Sequence, residues 1–132
     1  MTADNVQTQV IRWALVFGAC AGLLAVMAGA FGAHGLRNVI NERGLEVFQT
    51  AVSYQMYHAL ALIAVSLMPA MGLSRRLLGI ACGFWIVGTV LFSGSLYLLV
   101  LSGNHWLGPV TPVGGVCFMV GWALLAATAL KK

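Results

Sequence analysis

No Asp, Glu, Lys or Arg occurs between Arg12 and Arg37, between Glu46 and Arg75, or between Arg76 and Lys131. A charged side chain at the centre of a bilayer costs at least about 3 kcal/mol, so uncharged stretches of this length are what a membrane-embedded chain needs and a water-soluble one does not. Each crossing takes about 20 mostly apolar residues at about 1.5 Å rise, and four of them use about 80 residues. Composition agrees: 61% of the 132 residues are hydrophobic and 8% are charged, against about 25% charged in an ordinary soluble domain. The sequence predicts an all-α integral membrane four-helix bundle in a single domain, residues 1–132, with no room for a soluble catalytic domain.

The predicted spans are residues 13–31, 48–71, 77–101 and 113–130. The first is too long for a signal-peptide core and is followed by further spans, so it is read as retained. Residues 34–47 form the longest polar segment, a loop with room for a short surface helix carrying Leu36, Val39 and Ile40. Pro69, Gly72 and Ser74 mark the second turn. Gly103, Asn104, Gly108, Pro109 and Pro112 mark the third. Arg12, Arg75, Arg76, Lys131 and Lys132 share one side, against Arg37 and Arg43 on the other. Basic residues near span ends are retained in the cytoplasm, which predicts both termini there. The opposite loop is balanced, with Arg37 and Arg43 against Glu42 and Glu46, and offers no electrostatic steering.

The net charge of +4 forms no basic stripe interleaved with aromatics, so nucleic acid is not expected as a partner. The expected surroundings are a lipid bilayer, with a membrane-protein partner or a second copy as a further possibility. Cys20, Cys82 and Cys117 each fall in an apolar segment and make no C-x-x-C, so they read as small packing residues. His34, His58 and His105 form no His-x-x-His or His-x-x-x-His pair, and neither a metal nor another cofactor is expected. No mid-span carboxylate suits a proton-coupled carrier. No phosphate loop, activated nucleophile or carboxylate pair suggests an enzyme.

Lipid tails solvate Leu as well as a neighbouring helix does, so spans associate through close backbone approach and buried polar contacts. Gly18 and Gly22 form a G-x-x-x-G continued by Ala25 and Gly29; Gly79 and Gly83 form another; Gly114 and Gly121 repeat at seven. These stripes suit packing within the bundle, or one of them a partner subunit. The second polar feature is the first half of span two, with Gln49, Thr50, Ser53, Tyr54, Gln55, Tyr57 and His58, which must face protein or water. On this topology it meets Ser93, Ser95 and Tyr97 of span three in the outer half, with His34, Gln49 and Thr111 nearer the rim. Tyr54 and His58, Gln55 and His58, and Ser93 and Tyr97 are each spaced to share a helix face. Such groups must be mutually hydrogen-bonded or wet. They form either an interhelical network that fixes register or a small outer pocket for a lipid, quinone or polar solute.

Four stretches carry a resemblance: GAFGAHGL from Gly29 to Leu36, YQMYHAL from Tyr54 to Leu60, FSGSLY from Phe92 to Tyr97, and TPVGG from Thr111 to Gly115, followed by Gly121-Trp122. In that order they resemble the YgdD-like family of small inner-membrane proteins, which has small transmembrane relatives in eukaryotes. The resemblance spans the chain and implies a four-helix protein of the bacterial plasma membrane. It implies no reaction. The family-like positions are His34, Tyr54, Gln55, Tyr57, His58, Ser93, Ser95, Tyr97, Thr111 and Pro112. A structural or membrane-stabilising interaction protein is expected, with ligand binding or small-solute transport through the outer polar pocket as the alternative.

Overall fold

The computed structural model describes residues 3–131. Lys132, counted above among the basic residues, lies outside them. Four long helices make up the chain: α1 (Ala3–His34), α2 (Glu42–Leu67), α3 (Arg75–Ser102) and α4 (Val110–Leu130). Each is long and apolar enough to cross a membrane. Short 3-10 turns, Met68–Met71 and His105–Leu107, tighten two of the connections.

Local chemistry sets the ends. The Asn41 side chain accepts a hydrogen bond from the Gly44 N–H at 2.7 Å and starts α2. Consequently α2 begins at Glu42, inside the segment expected to be a loop. The loop itself is residues 35–41, and Leu36 is buried there under a hydrogen-bonded turn, not a surface helix. Ser74 caps α3 through the Leu77 N–H, and Gly72 and Gly103 take the positive φ values, 79° and 71°, that close the preceding 3-10 turn and α3. Pro112 is not in a turn: α4 starts at Val110, and Pro112 sits in its first turn, where a missing N–H breaks no helical hydrogen bond.

α1, α2 and α3 pack mutually, whereas α4 is laid against α3 and is not packed on α1. Many large apolar side chains, Leu23, Val26, Met27, Val90 and Leu98 among them, point outward, as expected for helices facing lipid. The interior is made of small residues, Ala14, Ala21, Ala25, Ala51, Ala59 and Ala81, around Trp85, Leu62, Leu78 and Phe118.

Glycine makes this close packing possible at two seams. On the α1–α2 seam a Cβ at Gly18 would stand 2.9 Å from the Ala59 carbonyl oxygen, while Gly22 and Gly29 have ordinary clearances of 3.9 and 3.5 Å. On the α3–α4 seam, aromatic rings lie on glycines from both sides. Phe118 covers Gly88, Trp85 covers Gly121, and the Phe92 backbone lies against Gly114, where a Cβ would stand 2.9 Å from the Phe92 Cα. The expected Gly79–Gly83 stripe differs. Gly79 has only Val10 nearby, at 3.6 Å, and a Cβ at Gly83 would meet nothing within 4 Å.

Gly114→Ala should therefore destabilise the bundle by about 1–3 kcal/mol, since it presses a methyl group into backbone that cannot rotate away. Gly83→Ala should change stability by less than about 0.5 kcal/mol. Thermal unfolding of the two variants in the same detergent checks the pair.

Candidate functional site

The polar residues of α2 lie either side of the midpoint of the Glu42–Met71 stretch. On this helix Gln55 stands just before that midpoint and His58 just after it. From this level two side chains reach in different directions.

Gln55 reaches α1 and α3. Its Nε2 donates to the Ala21 carbonyl at 2.7 Å, and its Oε1 accepts from the Tyr97 hydroxyl at 2.7 Å. Beside it, the Ser93 hydroxyl donates to the Ala51 carbonyl at 2.7 Å, joining α3 to α2 again.

His58 reaches α4. Its Nδ1 lies 2.8 Å from the Tyr54 carbonyl, and its Nε2 accepts the Trp122 indole N–H at 3.0 Å. An imidazole that accepts at Nε2 carries its proton on Nδ1, which is the nitrogen facing the carbonyl, so the two bonds select one tautomer. The ring is stacked on Phe118, with centroids 3.6 Å apart and planes 9° apart. Trp85 meets it edge-on at 6.0 Å and donates its own N–H to the Phe118 carbonyl at 3.2 Å. Phe118 can occupy this place only because residue 88 is glycine.

The other predicted residues separate. Ser95 and Thr111 pair with each other at 2.5 Å, joining α3 to the start of α4 further along the bundle. Tyr54 is half-exposed and packs its ring on Phe92 at 4.7 Å. Tyr57, 58% exposed, touches Tyr54 and stands outside the network, and His34 is exposed at the end of α1. The structure therefore does not gather Tyr54, Gln55, Tyr57, His58, Ser93 and Tyr97 around one pocket. Gln55 and Tyr97 line an apolar groove of about 540 Å³ between α1 and α3, walled by Leu24, Met27, Phe31 and Leu101, and an adjoining hollow of about 350 Å³ reaches Ser93 and Thr89. His58 lies on the other side, among aromatic rings.

Trp85, Thr89 and Phe118 belong to the network without any sequence motif marking them, and Trp122 is marked only as part of the Gly121-Trp122 stretch. The Gly121-Trp122 pair was the available signal: a glycine that admits one indole next to a residue that supplies another. Among the described residues, every buried side-chain nitrogen or oxygen has a hydrogen-bond partner. Interhelical hydrogen bonds within membranes average about 0.6 kcal/mol and reach about 1.7. A double-mutant cycle of His58→Phe and Trp122→Phe should give a coupling energy in that range, measured by reversible unfolding in mixed micelles.

Comparison with known proteins places the chain. A protein family of unknown function (DUF423) matches residues 28–115, which include α2, α3 and the start of α4. The UPF0382 membrane protein YwdK of Bacillus subtilis is 43% identical over 122 residues, covering 89% of this chain and 95% of that protein. The UPF0382 inner membrane protein YgdD of Escherichia coli is 41% identical over 123 residues, covering 91% of each. A UPF0382 membrane protein of Staphylococcus aureus is 40% identical over 119 residues, covering 89% of this chain and 94% of that one. No solved structure matches. With about nine-tenths of the chain aligned to such relatives, the chain belongs to the UPF0382 family of multi-pass membrane proteins, the family of unknown function DUF423.

Proposed function

We propose that the protein is a non-catalytic structural and interaction protein of the bacterial inner membrane, with both termini in the cytoplasm. The observation that carries this reading is the absence of an unsatisfied buried side-chain polar atom among the described residues. Gln55, His58, Ser93, Tyr97 and Trp122 are engaged in holding helices together, and a reactive or transporting group needs capacity that such bonds remove. The open groove at Gly83, where Ile80, Phe84 and Val87 of α3 and Cys117 of α4 line a hollow of about 360 Å³, is where a partner helix would seat. Gly83→Leu should reduce assembly size in native membranes while leaving the monomer folded. His58→Ala and Gln55→Leu should lower stability by about 1–2 kcal/mol, and cellular defects should scale with that loss. A His58→Ala protein of full stability that fails in cells would overturn the scaffold reading.

A second reading is favoured by the α1–α3 groove, whose wall carries the Tyr97 phenol and the Gln55 amide in otherwise apolar surroundings. This arrangement suits a long hydrophobic ligand with one polar group. A native mass spectrum of protein released from mild detergent, with a stoichiometric adduct lost in Tyr97→Phe, would support it. Bare protein in both forms would remove it.

A further inference from the structure

A basic cleft lies at the other end of the bundle, away from the residues that join Gln55 and His58 to their partners. Arg12 of α1 and Arg75, the first residue of α3, line a single cleft of about 190 Å³ together with Thr8 and Ser66. Ile11, Leu15 and Pro69 form its apolar side. The Arg75 Nη1 donates to the Thr8 hydroxyl oxygen at 3.0 Å, which draws this guanidinium across to α1. The Ser66 hydroxyl donates to the Ile63 carbonyl, so the donors facing the cleft are Arg12, Arg75 and Thr8.

Among the described side chains these charges meet no acid. Arg12, Arg75, Arg76 and Lys131 gather at this end, where Asp4 is the one acid in the sequence. Among the described residues the one ion pair, Arg43–Glu46, belongs to the opposite end. Moreover, Arg75 and Arg76 occupy the first turn of α3, which has no acidic residue, although the positive end of the helix dipole disfavours cations there. An anion in the cleft would offset both effects. Its depth selects the kind of anion: Arg12 precedes Trp13, which is 65% exposed, at the entrance of the first apolar run, and the cleft changes from guanidinium groups to aliphatic side chains along α1. An aromatic belt residue beside a basic cleft is the arrangement expected at headgroup level.

We propose that this cleft binds the phosphodiester headgroup of an anionic phospholipid, with Arg12 and Arg75 holding the phosphate and Ile11 and Leu15 receiving the first acyl carbons. The test is native mass spectrometry of the full chain in detergent with equimolar phosphatidylglycerol and phosphatidylcholine of identical acyl chains. The wild-type protein should retain phosphatidylglycerol preferentially. Arg12→Gln with Arg75→Gln should weaken that retention by on the order of 25-fold, about fivefold for each charge. Arg12→Lys with Arg75→Lys should keep much of it, and Arg37→Gln with Arg43→Gln, at the opposite end, should keep all of it. Should the glutamine double variant fail to fold, the two single variants read the same loss separately. Equal retention of the two lipids by the wild-type protein, or an unchanged preference in the glutamine variants, would overturn the proposal. A rise in Tm with inorganic phosphate as large as that with phosphatidylglycerol would overturn the lipid assignment, because the cleft would then be recognising a free anion.

Discussion

Two side chains, three residues apart on α2, tie that helix to the other three. Gln55 bridges the Ala21 carbonyl of α1 and the Tyr97 hydroxyl of α3, and His58 accepts the Trp122 indole of α4. In lipid there is no hydrophobic force between helices, so such contacts and close backbone packing set the arrangement. The His58–Trp122 bond has particular weight because α4 is packed chiefly on α3. It turns a helix attached along one seam into one oriented with respect to the rest of the bundle.

The α3–α4 seam follows from the same constraint. Trp85 and Phe118 are large rings at a depth where the helices must also lie close, and both conditions are met because Gly121 and Gly88 stand opposite them. Trp85 then reaches the Phe118 carbonyl, and Phe118 offers its face to His58. On this seam glycine packing and the polar network are thus one structure: Trp85, seated on Gly121, is hydrogen-bonded to the Phe118 carbonyl, and Phe118, seated on Gly88, is stacked against His58. The outward faces, rich in leucine, valine and methionine, are left to lipid.

The two ends of the molecule differ in chemistry. Toward the Phe48 and Leu101 end, α1 and α3 separate into an apolar groove with a phenol and an amide on its wall. At the other end the same two helices carry arginines into a narrow cleft beside an exposed tryptophan. The bundle is thus tied together by Gln55 and His58 and presents different chemistry at its two ends.

The number and identity of the helices were legible from the sequence, because the uncharged stretches permit only membrane-spanning structure and lipid permits only helices with internally satisfied backbone. The basic residues at one end and the polar character of α2 were legible for the same reason: charge and polarity are costly in hydrocarbon wherever they are placed. The sequence did not determine partners. Ala21, Ala51 and Tyr54 contribute backbone carbonyls, which no side-chain pattern reveals, and Trp85, Phe118 and Trp122 look like ordinary lipid-facing aromatics until the helices are rotated into place. Gly83 and Gly114 look equivalent in a list of small residues, yet one faces open space and the other the backbone of Phe92. Tertiary structure decided these points because spacing along one helix defines a face, whereas rotation and depth relative to the other helices decide what that face meets.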